Sequence, residues 1–125
     1  GMRKHGSGVI VNIASELAFK SANGCALYCA SKGAVVQFTR ALAAEEAKNG
    51  IRINAVCPGP IDTELIIPTL GEIPEDNDAR TSSQTILKRL GKPEEIAEVV
   101  WFTASDGASY MVGSIIMVDG GVLAN

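Results

Sequence analysis

Three short apolar runs separated by stretches of helical period predict an α/β fold, doubly wound in style, with about three parallel strands and flanking helices. The runs fall at residues 8–14, 51–59 and 114–121, and each crossover between them is long enough to hold a helix. Long crossovers imply parallel pairing with right-handed connections. Three strands are fewer than the usual five or six or so, so the chain is expected to be half of such a sheet, with the first strand at an open edge.

"GVIVNIA", residues 8–14, follows a Gly-Ser-Gly turn, and its near-continuous apolar, β-branched character suits a strand covered on both faces. "KSANGC", 20–25, has the Ser, Asn and Gly content of a loop. From about Leu27 to Lys48 the period becomes helical, with Val35, Phe38 and Leu42 on one face and Ala at many remaining positions; Asn49 and Gly50 end it. "IRINAVCPG", 51–59, reads as a second strand stopping in a tight turn at Pro58.

Residues 61–85 hold no steady period and are broken by Pro68, Gly71 and Pro74, so they read as a long loop of the functional kind. In 92–105, Pro93 takes a first-turn position and Glu94 and Glu95 sit at the positive end of the helix dipole. Ile96, Val99, Val100 and Thr103 form one face of that helix, while Trp101 and Phe102 are expected in the core or at a subunit contact. "SIIMVDGG", 114–121, is the third strand, its end shaped by Asp119, Gly120 and Gly121.

The chain has 125 residues, 46% of them hydrophobic, and a net charge of −3 with no block of like charge. That balance describes one soluble unit and gives no footprint for nucleic acid or an anionic membrane. No apolar run reaches the length of a membrane span and no secretion signal opens the chain, so a cytoplasmic protein is expected. Gly1 ahead of Met2 has the form of a tag-cleavage residue. Cys25, Cys29 and Cys57 form no CxxC pair, and His5 is the single histidine, so neither a disulfide framework nor a metal site is expected.

The chemistry is concentrated in "YCASK", 28–32, thirteen positions after Ser15. Tyr28 and Lys32 stand i, i+4 on the long helix, so their side chains share a face. An ammonium beside a phenol favours the phenolate, and such a phenol can give or take a proton near neutral pH. A hydroxyl from Ser15, at the end of the first strand, could donate to a developing alkoxide. The spacing alone is equally that of a solvated helix face.

Five segments decide between the two readings. "GVIVNIAS", "YCASK", "IRINAVCPGPIDT", "LGKPEEIAEVVWFTASDGASYMVG" and "IIMVDGG" occur in register over more than a hundred residues, and together the sequence resembles the short-chain dehydrogenase/reductase family. The resemblance implies the C-terminal half of a Rossmann-type domain across residues 1–125, using NAD or NADP to move hydride between the cofactor and a secondary alcohol or ketone. It implies Tyr28 as general acid/base, Lys32 as the holder of the nicotinamide ribose, and Ser15 as the group orienting the substrate oxygen. Pro58, Gly59, Ile61 and Thr63 match the turn that meets the nicotinamide end, and residues 65–86 fall where the family carries a substrate-covering segment. The family's Gly-rich turn, ribose-selecting residue and tetrad asparagine are not matched, and Asn12, on the strand, does not stand in for that asparagine. The truncated chain is therefore expected to be inactive alone, and a second expectation is a catalytically silent module that works by assembly, as a homo-oligomer or with a separate N-terminal half.

Overall fold

The computed structural model describes residues 1–64 and 84–124. The helix α1 (Met2–His5) leads into β1 (Gly8–Ile13), a 3-10 turn at Glu16–Ala18 and the long helix α2 (Ala26–Glu46). Next come β2 (Ile51–Pro58), α3 (Pro93–Ala104) and β3 (Ile115–Val118). The three strands form one sheet in the order β1-β2-β3, and both pairings are parallel. This is a fragment of a Rossmann-type fold, as the alternation of apolar runs and helices predicts. The short α1 has no counterpart in the sequence reading, and β3 is shorter than the 114–121 run because Asp119–Gly121 turn away from the sheet.

β2 is the central strand, and Ile53, Ala55, Val56 and Cys57 are fully buried. Side chains alternate along it. Ile51 and Ile53 pack with Ala43, and Cys57 packs with Val36, so this face meets α2. The other face reaches the α3 side, where Arg52 donates to Thr103 O and Asn54 to Met111 O. The two helices thus cover opposite faces of the sheet. β1 is only half-covered along its length, as expected of an edge.

α2 sits about one residue out of the face the sequence suggests. Its buried positions are Val36, Thr39, Ala43 and Glu46, whereas Phe38 is 59% exposed. Two polar pairings explain the offset. Asn12 donates its amide to Thr39 Oγ1 at 2.9 Å, and Thr39 in turn donates to Val35 O, so a hydroxyl is satisfied inside the core. Glu46 is held by the Arg3 guanidinium and accepts from Asn49 Nδ2 at 2.9 Å. Trp101 and Phe102 are exposed at 75% and 51%, so neither belongs to the core of this chain.

The turns follow from backbone chemistry. Gly50 closes the helical run at φ 71°, and a side chain there would run into the Gly6 carbonyl. α3 begins at Pro93, and Glu95 reaches back to accept the Lys92 N–H at 2.8 Å, which satisfies one orphan donor of the first turn.

Candidate active site at the carboxyl edge of the sheet

The strands end together. Ala14 N–H still donates to Val56 O, and Gly59 N–H donates to Val118 O at 3.0 Å, so Ser15, Gly59 and Asp119 leave the sheet at one edge. Ser15 is 6% exposed and caps the following 3-10 turn, its Oγ accepting from Leu17 N–H at 3.1 Å. Its own proton goes to Glu16 Oε2 at 2.8 Å.

Tyr28 lies in the first turn of α2 and Lys32 one turn later. The Lys32 Nζ stands 5.5 Å from the centroid of the Tyr28 ring and donates to Ile13 O at 3.1 Å. Lys32 therefore links the Tyr28 ring to the end of β1, two residues before Ser15. Among the described residues, Ser15 Oγ bonds Glu16 and Leu17 rather than Tyr28.

Pro58 and Gly59 end β2 against β3. A methyl group at Gly59 would come within 2.6 Å of Asp119 Cα, so the approach of the two strand ends requires a glycine. Ile61 bridges Gly91, with Asp62 N–H donating to Gly91 O and Gly91 N–H to Pro60 O, both at 2.9 Å. Thr63 follows, exposed. The turn is thus pinned at both ends while Thr63 projects from it. A cavity of about 100 Å³ lies between this turn, Arg89, Glu95 and Asp119. That is well below the roughly 300 Å³ at which ligand pockets begin. Of the expected substrate-covering segment 65–86, residues 65–83 lie outside the described residues.

Two groups near Ser15 are perturbed. Burial pushes the Glu16 carboxyl above its ordinary range. Cys57 is buried behind Ser15, and burial likewise raises its thiol, against the opposing Ser15 N–H. It behaves as a small apolar side chain, and Cys29 is half-buried with its Sγ 3.8 Å from Lys20 O. Glu16 carries no local mark of its burial. It is an acid directly after an apolar strand end, but the strand ends that bury it come from distant parts of the chain. Asp119 carries a structural role, accepting from Gly121 N–H and Leu123 N–H at 2.9 and 3.0 Å. Among the described residues no His, Cys, Asp and Glu group is placed to hold a metal ion, and no helix is long and apolar enough to cross a membrane.

A parallel-sheet edge carrying a buried serine and a Tyr–Lys pair one helical turn apart is the arrangement of the short-chain dehydrogenase/reductases, and the chain belongs to that family. Residues 1–123 match the family model described as enoyl-(acyl carrier protein) reductase. The acetoacetyl-CoA reductase of Shinella zoogloeoides is 45% identical over 97% of the chain and 49% of its own length. The cis-4-hydroxycyclohexanecarboxylate dehydrogenase of Sinomonas cyclohexanicum is 42% identical over 98% of the chain and 48% of its own length. Among solved structures, a gluconate 5-dehydrogenase from Burkholderia cenocepacia in complex with NADP and tartrate superposes with a TM-score of 0.91. It is 30% identical, and the match covers 99% of this chain and 48% of that one. The chain thus spans about half the length of the relatives it matches.

Proposed function

We propose that this chain supplies the proton-handling side of a site that moves hydride between NAD or NADP and a secondary alcohol or ketone, with Ser15, Tyr28 and Lys32 as its catalytic residues. The observation that carries the reading is the Lys32 ammonium, held over the Tyr28 ring and against the Ile13 carbonyl at once. In the reductive direction Tyr28 gives its phenolic proton to the carbonyl oxygen, and the ammonium stabilises the phenolate left behind. Ser15 orients that oxygen. The nicotinamide, when bound, supplies or takes the hydride.

The donor set suits such a cofactor. One Lys32 N–H is used by Ile13 O, and among the described residues no acceptor takes the other two, which leaves them for ribose hydroxyls. Tyr28 adds a phenol to the same surface, and Pro58, Gly59, Ile61 and Thr63 form the turn proposed to meet the nicotinamide end. On this reading residues 1–125 are the C-terminal half of the Rossmann-type domain, and 65–86 covers the substrate. The solved relative with bound NADP supports the cofactor class. The named relatives act on a β-ketoacyl thioester, a cyclic alcohol and a sugar acid, which supports an alcohol or ketone without narrowing it.

A second reading is a catalytically silent module that acts through assembly. The half-covered β1 and the exposed Leu27 and Trp101, at 89% and 75%, favour it. The 125 residues match no Gly-rich turn of the family's kind, so tight cofactor binding by them alone is not expected. Titration with NADPH, following nicotinamide fluorescence and solution mass together, separates the readings. Joined to the Gly-rich half of a family member, the chain is expected to show saturable binding with ketone turnover that Tyr28→Phe lowers by roughly 100-fold or more. Turnover untouched by Tyr28→Phe overturns the first reading; a mass above 13.0 kDa without cofactor binding supports the second.

A further inference from the structure

We propose that Glu16 is a positioning residue acting through Ser15: the protonation state of its carboxyl sets the direction in which the Ser15 hydroxyl points its proton. The inference rests on the reading of Ser15 as the group that orients a substrate oxygen, and it concerns what Ser15 has available to give.

A hydroxyl has one proton and two acceptor lone pairs. In Ser15 one lone pair takes the Leu17 N–H at 3.1 Å and the proton lies on Glu16 Oε2 at 2.8 Å. Both side chains are buried, with Ser15 at 6% and Glu16 at 8% exposure, so water does not compete freely for these positions. An ionised carboxylate only accepts. While Glu16 is ionised, Ser15 keeps its proton turned inward and offers a substrate only a lone pair, which suits the O–H of an alcohol. A protonated Glu16 reverses the bond. Its O–H donates to Ser15 Oγ, and the serine proton is released towards a carbonyl oxygen.

The surroundings place this exchange within reach. Burial is the main influence raising the Glu16 carboxyl, the Ser15 hydrogen bond, the backbone of Glu16 itself and Lys20 oppose it, and Asp119 adds to it. The ionisable groups that face Glu16 are Lys20 on its own loop, Asp119 at the end of β3 and Cys57 at the end of β2. From α2, Lys32 lies between the Tyr28 ring and the neighbouring Ile13 carbonyl and is not among the groups acting on Glu16.

Carbon-13 NMR of the 125-residue chain tests the pair without cofactor or substrate. The Glu16 carboxyl is expected to titrate above the exposed glutamates of an unfolded reference peptide, and its midpoint should rise further in Ser15→Ala, where the carboxylate loses a donor. The Ser15 Cβ resonance should follow the Glu16 midpoint in the parent chain and lie flat over that range in Glu16→Gln. A Glu16 midpoint level with the exposed glutamates overturns the proposal. So does a Ser15 resonance that titrates unchanged in Glu16→Gln, a result open to measurement even if Ser15→Ala does not fold. Ketone turnover left unchanged by Ser15→Ala would sink the functional reading of Ser15 while leaving these titrations to decide the pair.

Discussion

Asn54 illustrates what a single buried polar side chain does in this sheet. It is fully buried in the middle of β2, donating to Met111 O and accepting from Ser114 N–H, both at 2.9 Å. One amide thereby fixes the chain that enters β3 and satisfies two backbone groups at once. In Asn54→Leu both groups lose their partner, each at roughly 1–3 kcal/mol, so we expect a stability loss of about 3 kcal/mol in urea unfolding. Asn54→Asp keeps the acceptor for Ser114 N–H but sets a second oxygen against Met111 O in a buried site, so it should lose as much or more at neutral pH; a loss near zero in Asn54→Leu would show that volume rather than pairing is at stake. Residue-scale features of this kind were unevenly legible in the sequence. Ser15, Tyr28 and Lys32 could be read because i, i+4 spacing on a helix and the end of an apolar run are local properties. Asn54 and the burial of Glu16 could not, because Met111 and Ser114, which pair with Asn54, and Asp119, which neighbours Glu16, lie far along the chain.

At the scale of elements, α3 is held at its carboxyl end by a side chain from the sheet. Arg52 projects from β2 and donates to Thr103 O at 3.1 Å, Ser105 O at 3.0 Å and Ala108 O at 2.9 Å. These are carbonyls around the end of the helix, where the last turn leaves acceptors unpaired and the dipole favours a cation. Arg52→Met keeps much of the stem and removes the fork, so we expect a loss of about 2 kcal/mol, the scale of hydrogen bonds to a charged group. Hydrogen exchange should show the last turn of α3 opening first, and exchange unchanged there would remove this account. The existence and order of α2, α3 and the strands followed from periodicity and turn residues. The rotation of α2 did not, because Thr39 and Glu46 are polar residues made buriable by Asn12 and Arg3, and an apolar count assigns such positions to solvent. The exposure of Trp101 and Phe102 escaped for the opposite reason: apolar character predicts burial only when something is present to cover it.

Across the fold, three perturbed carboxyls among the described residues divide into two sets whose effects on stability run in opposite directions with pH. Glu46 and Glu95 are both lowered to about 2, Glu46 chiefly by hydrogen bonds from Arg3 and Glu95 chiefly by hydrogen bonds from Arg89. A carboxyl whose folded value is depressed stabilises the fold above its unfolded value, near 4.5 here, and the contribution disappears as pH falls from there through about 2. Glu16 is raised, so it contributes in the other sense: the folded state holds its proton longer than the unfolded chain does, and stability falls as pH rises above the ordinary carboxylate range. The Arg3–Glu46 pair fastens α1 to the end of α2, and the Arg89–Glu95 pair, at 2.7 Å, fastens the start of α3 to the segment before it. Acid should therefore loosen the two ends of the fold before the buried β2. Urea midpoints at pH 5 and pH 3 check this. The parent chain should lose stability between the two, and Glu46→Gln and Glu95→Gln should each flatten that slope while lowering the midpoint at pH 5. Glu16→Gln should leave the acid slope in place and remove the decline above it, and a flattened acid slope in Glu16→Gln would reverse the assignment of the two sets.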